Sequence, residues 1–125
     1  MNRANKIKAC RPHITLKESK QISDEEQFQN HVLRPILKFQ NELFIKLFLS
    51  NCNTYNINFT EFNSEEKYEY INNIFEKDFK IRASFIGTVI ALFTIEEYEK
   101  YSVNQKHYNK RIIQMLTERL KNQTA

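Results

Sequence analysis

One glycine and two prolines in 125 residues leave the chain poor in turn-forming residues. A β-sandwich or barrel needs many tight turns at positive φ, where glycine leads. Gly-rich phosphate loops and dinucleotide fingerprints need several glycines at fixed offsets, and the lone Gly87 cannot make them. Cysteine is scarce too. Cys10 and Cys52 form no C-x-x-C, so the expectation is two free thiols in a reducing compartment. Met1–Cys10 is basic, and no apolar h-region follows it as in a secretory signal. The uncharged run Ala83–Phe93 is eleven residues, whereas a bilayer span takes about twenty. The expected placement is therefore cytoplasmic, with no membrane partner.

Core-forming residues are plentiful. Hydrophobic residues make up 41% and aromatics 13%, mostly Phe and Tyr, which suits a packed core rather than disorder. A single domain of this length buries roughly two-thirds of its unfolded surface, so neither metal nor disulfide is needed to fold it. The formal charge is +4, unevenly spread. Residues 1–21 sum to +5, residues 22–99 to −6 and residues 100–125 to +5. Basic ends around an acidic middle suit packing within the chain or an antiparallel pair, and a basic patch for nucleic acid is the sharper alternative.

The pattern predicts helices throughout. Residues 1–21 have no apolar periodicity beyond "HITL" (His13–Leu16) and read as an extended basic arm. Ser23 and Glu26 form a capping box. A stripe through Phe28, Val32, Ile36, Phe39, Leu43 and Leu47 then repeats at helical spacing. Pro35 interrupts it and predicts a kink near Arg34, or two helices meeting there. The asparagine-rich Asn51–Asn63 reads as a loop, and Ser64 as the next cap. From there Tyr68, Ile71, Phe75, Phe79, Arg82, Ile86, Val89 and Phe93 mark one long helix that becomes apolar all round. It reads as the central helix, with Gly87 admitting a close neighbour. Thr94 and Glu97 make a second capping box, a short helix follows, and a last helix starts after Asn104. The expected architecture is all-α, a compact four- to five-helix bundle over residues 22–122.

Few residues suggest chemistry. Arg82 falls on the apolar stripe and calls for a carboxylate, Asp78 or Glu42; its functional reading is an anion-binding arginine in a pocket. His13, His31 and His107 share no metal-ligand spacing, and no H-E-x-x-H or Glu-x-x-His occurs, so no cofactor, metal or catalytic residue is assigned. Lys106, His107, Lys110 and Arg111 open the last helix as a recognition helix would, although Glu96, Glu97 and Glu99 precede them and would face phosphates.

Three blocks, "LRPILKFQNEL" (Leu33–Leu43), "FTIEEYEKY" (Phe93–Tyr101) and "NKRIIQML" (Asn109–Leu116), run in an order that resembles a group of short all-helical bacterial proteins, chiefly from the Bacteroidetes. Members of that group often carry the label "glyoxalase". That label implies paired βαβββ modules with His and Glu metal ligands, and this chain has no such ligand set. The resemblance implies a neighbourhood and no mechanism.

Three functional expectations follow. The first is a self-associating helical interaction module without catalytic activity, because the first long helix is apolar on two adjacent stripes. The second is a small DNA-binding regulator using Lys106, His107, Lys110 and Arg111. The third is a small-ligand binder or enzyme with a pocket near Arg82.

Overall fold

The computed structural model describes residues 2–13 and 22–124. All regular structure among the described residues is helical, with no strand. The helices are α1 (Arg3–Cys10), α2 (Asp24–Phe28), α3 (Arg34–Phe39), α4 (Asn41–Thr54), α5 (Ser64–Lys77), α6 (Phe79–Ile90), α7 (Ile95–Val103) and α8 (Gln105–Thr124). A π-turn, Gln29–Leu33, joins α2 to α3 without a break, and a 3-10 turn, Phe59–Glu61, lies between α4 and α5. With residues 24–39 counted as one rod there are seven helices among the described residues, not four or five. Three local features add the extra ones.

The first is the basic arm, which is not extended over its described part. Asn2 caps α1 by accepting from the Asn5 N–H at 2.9 Å. Ala, Lys and Arg are good helix formers, so the segment is helical by propensity. Its single buried side chain, Ile7, leaves no apolar period to read. Of the "HITL" stretch, residues 14–16 lie outside the described residues. The second feature is Gln40, whose backbone (φ −90°, ψ 4°) turns the chain between α3 and α4. The third is Asp78 (φ −120°, ψ 98°), which splits the predicted central helix. Its Oδ1 accepts from the Lys80 and Ile81 N–H groups at 3.0 and 3.2 Å, so one residue ends α5 and caps α6. The apolar stripe changes phase there: Phe79 is 77% exposed, while Ile81, Phe85, Ile86 and Val89 are buried.

Pro35 is met by a π-turn within a continuous helical stretch. Its ring would clash with the His31 carbonyl in a regular turn, and it has no N–H to give. The chain widens instead, and the Arg34 N–H donates to the Gln29 carbonyl five residues back. Scarce glycine also shows at the helix ends. α4 ends in a Schellman turn with Asn56 (φ 57°) where glycine is usual. There the Ile57 N–H bonds to the Cys52 carbonyl at 2.8 Å and the Asn56 N–H to the Asn53 carbonyl at 3.1 Å. α4 thus runs to Thr54, into the stretch expected to be loop, and Asn63 rather than Ser64 caps α5 in a box with Glu66.

α6 ends with no glycine: the Ala91, Leu92 and Phe93 N–H groups bond back to the Gly87, Val89 and Ile90 carbonyls, and arginines from the first segment bind the carbonyls of the turn that follows. Arg3 donates to the Phe93 and Ala91 carbonyls at 2.8 and 3.3 Å. Arg11 donates to the Leu92 carbonyl at 2.9 Å and pairs with the Glu97 carboxylate. Thr94 and Glu97 form the predicted capping box, so Glu97 serves both α7 and the α1 clamp.

The core is one cluster built around aromatic contacts. Phe28 meets Phe93 edge-on at 5.7 Å and Tyr108 at 4.6 Å. Phe85 links Phe44 and Phe75 at 5.4 and 5.3 Å, and Phe48 meets Phe59 at 5.1 Å. Such pairs contribute about 0.5–1.5 kcal/mol each beyond area burial. α5 packs on α6 and α8, and α6 also packs on α8. α6 is not apolar on every side in the buried sense. Ala83, Ser84 and Gly87 face solvent, and a Cβ built at Gly87 meets nothing within 4 Å, so no helix approaches there. Among the described residues no helix is long and apolar enough to cross a membrane.

Candidate anion-binding groove

A hollow of about 880 Å3 runs along α8. Lys110, Arg111, Arg119 and Lys121 come from α8, Arg82 from α6 and Arg34 from the first residue of α3. Asn72 and Glu76 of α5 and Glu118 of α8 complete its polar wall. Lys110, Gln114, Thr117 and Lys121 follow one another at offsets of four, three and four, the spacing of one helix face.

The local structure fixes several of these side chains. The π-turn before Pro35 supplies two amides. Asn30 Oδ1 accepts from Arg34 Nε at 2.9 Å, and Gln29 Oε1 accepts from Arg111 Nε at 2.6 Å. Arg111 also donates to Gln114 Oε1 at 3.2 Å. Asn41, at the start of α4, accepts from Arg119 Nη1 at 3.4 Å and exchanges hydrogen bonds with Gln123 at 2.6 and 2.8 Å. π-turns are often found at functional sites, and this one orients two guanidiniums.

All these partners are neutral. Among the described residues, one ion pair forms within 4.0 Å, Arg11 with Glu97, and it is not in the groove. The groove guanidiniums are thus oriented without being neutralised. Burial first, and the neighbouring Arg34 charge second, hold Arg119 below the usual arginine range. Six cations and two carboxylates leave the lining at +4, the formal charge of the whole chain; the remaining thirteen bases and thirteen acids cancel. A concave wall of one sign focuses the field on its contents.

The residues singled out from sequence divide. Arg82, Lys110 and Arg111 come together in the groove. Arg82 is half-buried with no carboxylate within 4.0 Å; Asp78, its expected partner, caps α6, and Glu42 is exposed on α4. His107 lies in a separate hollow with Ser23, Glu25, Glu26 and Arg111, at the acidic start of α2. Lys106 is exposed in the first turn of α8. Arg34, Arg119 and their amide partners had no sequence signal strong enough to select them. Asn30 four residues before Arg34 was the one local clue.

Among the described residues, no group of three His, Cys, Asp or Glu could hold a metal ion. Cys10 and Cys52 are free thiols; burial pushes the Cys52 thiol up, which makes it a poor nucleophile. Comparison with protein-family models, curated proteins and solved structures finds no match to this chain.

Proposed function

We propose that this protein is a binding module for a phosphorylated or otherwise anionic ligand, held in the arginine groove. The supporting observation is the set of groove arginines: Arg34, Arg111 and Arg119 are fixed by neutral amides, with no carboxylate within 4.0 Å among the described residues. Orienting like charges side by side is unfavourable in the free protein, and a bound anion relieves that repulsion. Charge-assisted hydrogen bonds to the anion add to the gain. The test is calorimetric titration with inorganic pyrophosphate. Binding that weakens as salt is raised is the expected outcome. No heat and no change in melting temperature at millimolar pyrophosphate sinks the reading.

A second reading is self-association as an interaction module. The outer face of α6, which exposed Phe79, Ala83 and Gly87 share with the charged Lys80, favours it. Of the two apolar stripes that suggested it, Leu33, Ile36, Leu37, Phe44 and Phe48 are covered within the chain, while Phe39 and Leu43 stay exposed. Light scattering at tens of micromolar separates the cases: a monomer removes this reading and leaves the groove untouched. Duplex recognition by the start of α8 is a weaker arrangement, because Lys110 and Arg111 line a hollow while His107 faces Glu25 and Glu26.

A further inference from the structure

We infer that the groove takes a phosphorylated sugar or polyol, with the phosphate on the arginines and the hydroxylated body read by Glu76, Glu118, Asn72 and Asn122. This inference rests on the anion reading above and adds the class of ligand.

Three observations carry it. The first is what the walls lack. Phe75 and Met115 touch the groove but are buried at 1% and 8% exposure. A nucleobase needs an open aromatic face to stack on, and an acyl chain needs apolar wall. No aromatic face is open, and the part-buried Ile113 is the only other apolar side chain on the wall, so the part of the ligand beyond its phosphate meets a mainly polar surface.

The second is the pair of carboxylates. Glu76 and Glu118 line a site otherwise rich in cations, and neither is ion-paired within 4.0 Å among the described residues. For a plain polyphosphate they are a pure cost, because like charges repel. For a sugar or polyol they are acceptors for hydroxyl donors, and ionised acceptors make the stronger hydrogen bonds. Asn72 and Asn122, both exposed on the same walls, can donate to and accept from hydroxyls.

The third is size. About 880 Å3 lies within the range of small-molecule sites and far exceeds what one phosphate fills.

The experiment is calorimetry with glucose 6-phosphate, ribose 5-phosphate, glycerol 3-phosphate, inorganic phosphate and a ten-residue oligothymidylate. The wild type and a Glu76→Gln, Glu118→Gln double variant are compared, with melting scans to establish that both are folded. At least one phosphorylated sugar or polyol should bind wild type tenfold or more tightly than inorganic phosphate. The double variant should lose that advantage while binding inorganic phosphate as well or better. If the variant binds every probe better by the same factor, the carboxylates are only repulsive; the ligand class falls and the anion reading stands. Preference for the oligothymidylate moves the ligand to single-stranded nucleic acid and likewise overturns the class. Absence of binding by all five probes overturns both readings.

Discussion

Two sets of arginines in this chain do opposite things. Arg3 and Arg11 finish the end of α6 and hold α1 against it; Arg11 meets the Glu97 carboxylate with side chains only 10% and 14% exposed. Arg34, Arg111 and Arg119 meet amides alone and line an open groove. The first set is paired within the molecule, with only Arg11 Nε left without a partner, and stabilises it. The second is positioned but left charged, so its stabilisation must come from outside. What separates them is the partner: a carboxylate neutralises a guanidinium, and an amide only aims it.

Mutations can break that comparison from either side. The largest effect is expected in the groove. An Arg34→Ala, Arg119→Ala double variant loses two charge-assisted contacts at about 1.5 kcal/mol each, about a hundredfold in pyrophosphate affinity. Its melting temperature should hold or rise, because the burial of the Arg119 charge and its repulsion by Arg34 are both removed. A large fall in stability with binding intact would reverse the assignment.

The clamp should behave the other way. Arg11→Ala leaves Glu97 part-buried without its cation, at a cost of about 3 kcal/mol, or about 10 °C in melting temperature. Pyrophosphate binding should be unchanged. The effect also carries a pH signature. Burial alone would raise the Glu97 carboxyl, but the Arg11 guanidinium and the Thr94 N–H and hydroxyl hold it below the usual glutamate value. A depressed carboxyl stabilises the fold in full above its unfolded value and loses that stabilisation as pH falls through its folded value. The gap between wild type and Arg11→Ala should therefore close on acidification below the ordinary glutamate range. A gap that is constant down to strong acid would mean that Arg11 acts through packing and the Leu92 carbonyl alone.

The smallest effect sharpens the contrast between covered and open surface. Gly87 is helical and meets nothing, so Gly87→Ala should stabilise by up to about 1 kcal/mol, about 3 °C. A destabilised variant, seen in a melting scan, would mean that something packs on this face in solution, as the self-association reading requires.

Much of the helical content was legible from the residues. Scarce turn formers excluded sheets, the Thr94–Glu97 box located α7, and the Phe28-to-Leu47 stripe marked the first long helical stretch. The errors came where one side chain competes with the helix. Asp78 reads as a carboxylate partner for Arg82 within one long helix until its oxygen is seen on two backbone N–H groups. Pro35 reads as a kink, but the chain met it with a π-turn, a choice that depends on what packs around it. α1 has one apolar contact, so its seat against α6 could not be found by periodicity.

The groove was legible only in fragments. Arg82 and the Lys110–Arg111 pair stood out, but as separate ideas and for separate chemistries. Arg34, Gln29 and Asn41 are far from α8 in sequence, and their amides carry no charge to follow. By itself the sequence determined that this chain folds as helices around a Phe- and Tyr-rich core, because helical periodicity and capping act over a few residues. Only the tertiary structure decided which arginines are neutralised and which stay open. That outcome depends on distances between residues up to about eighty positions apart, and Coulombic interaction follows distance in space rather than along the chain.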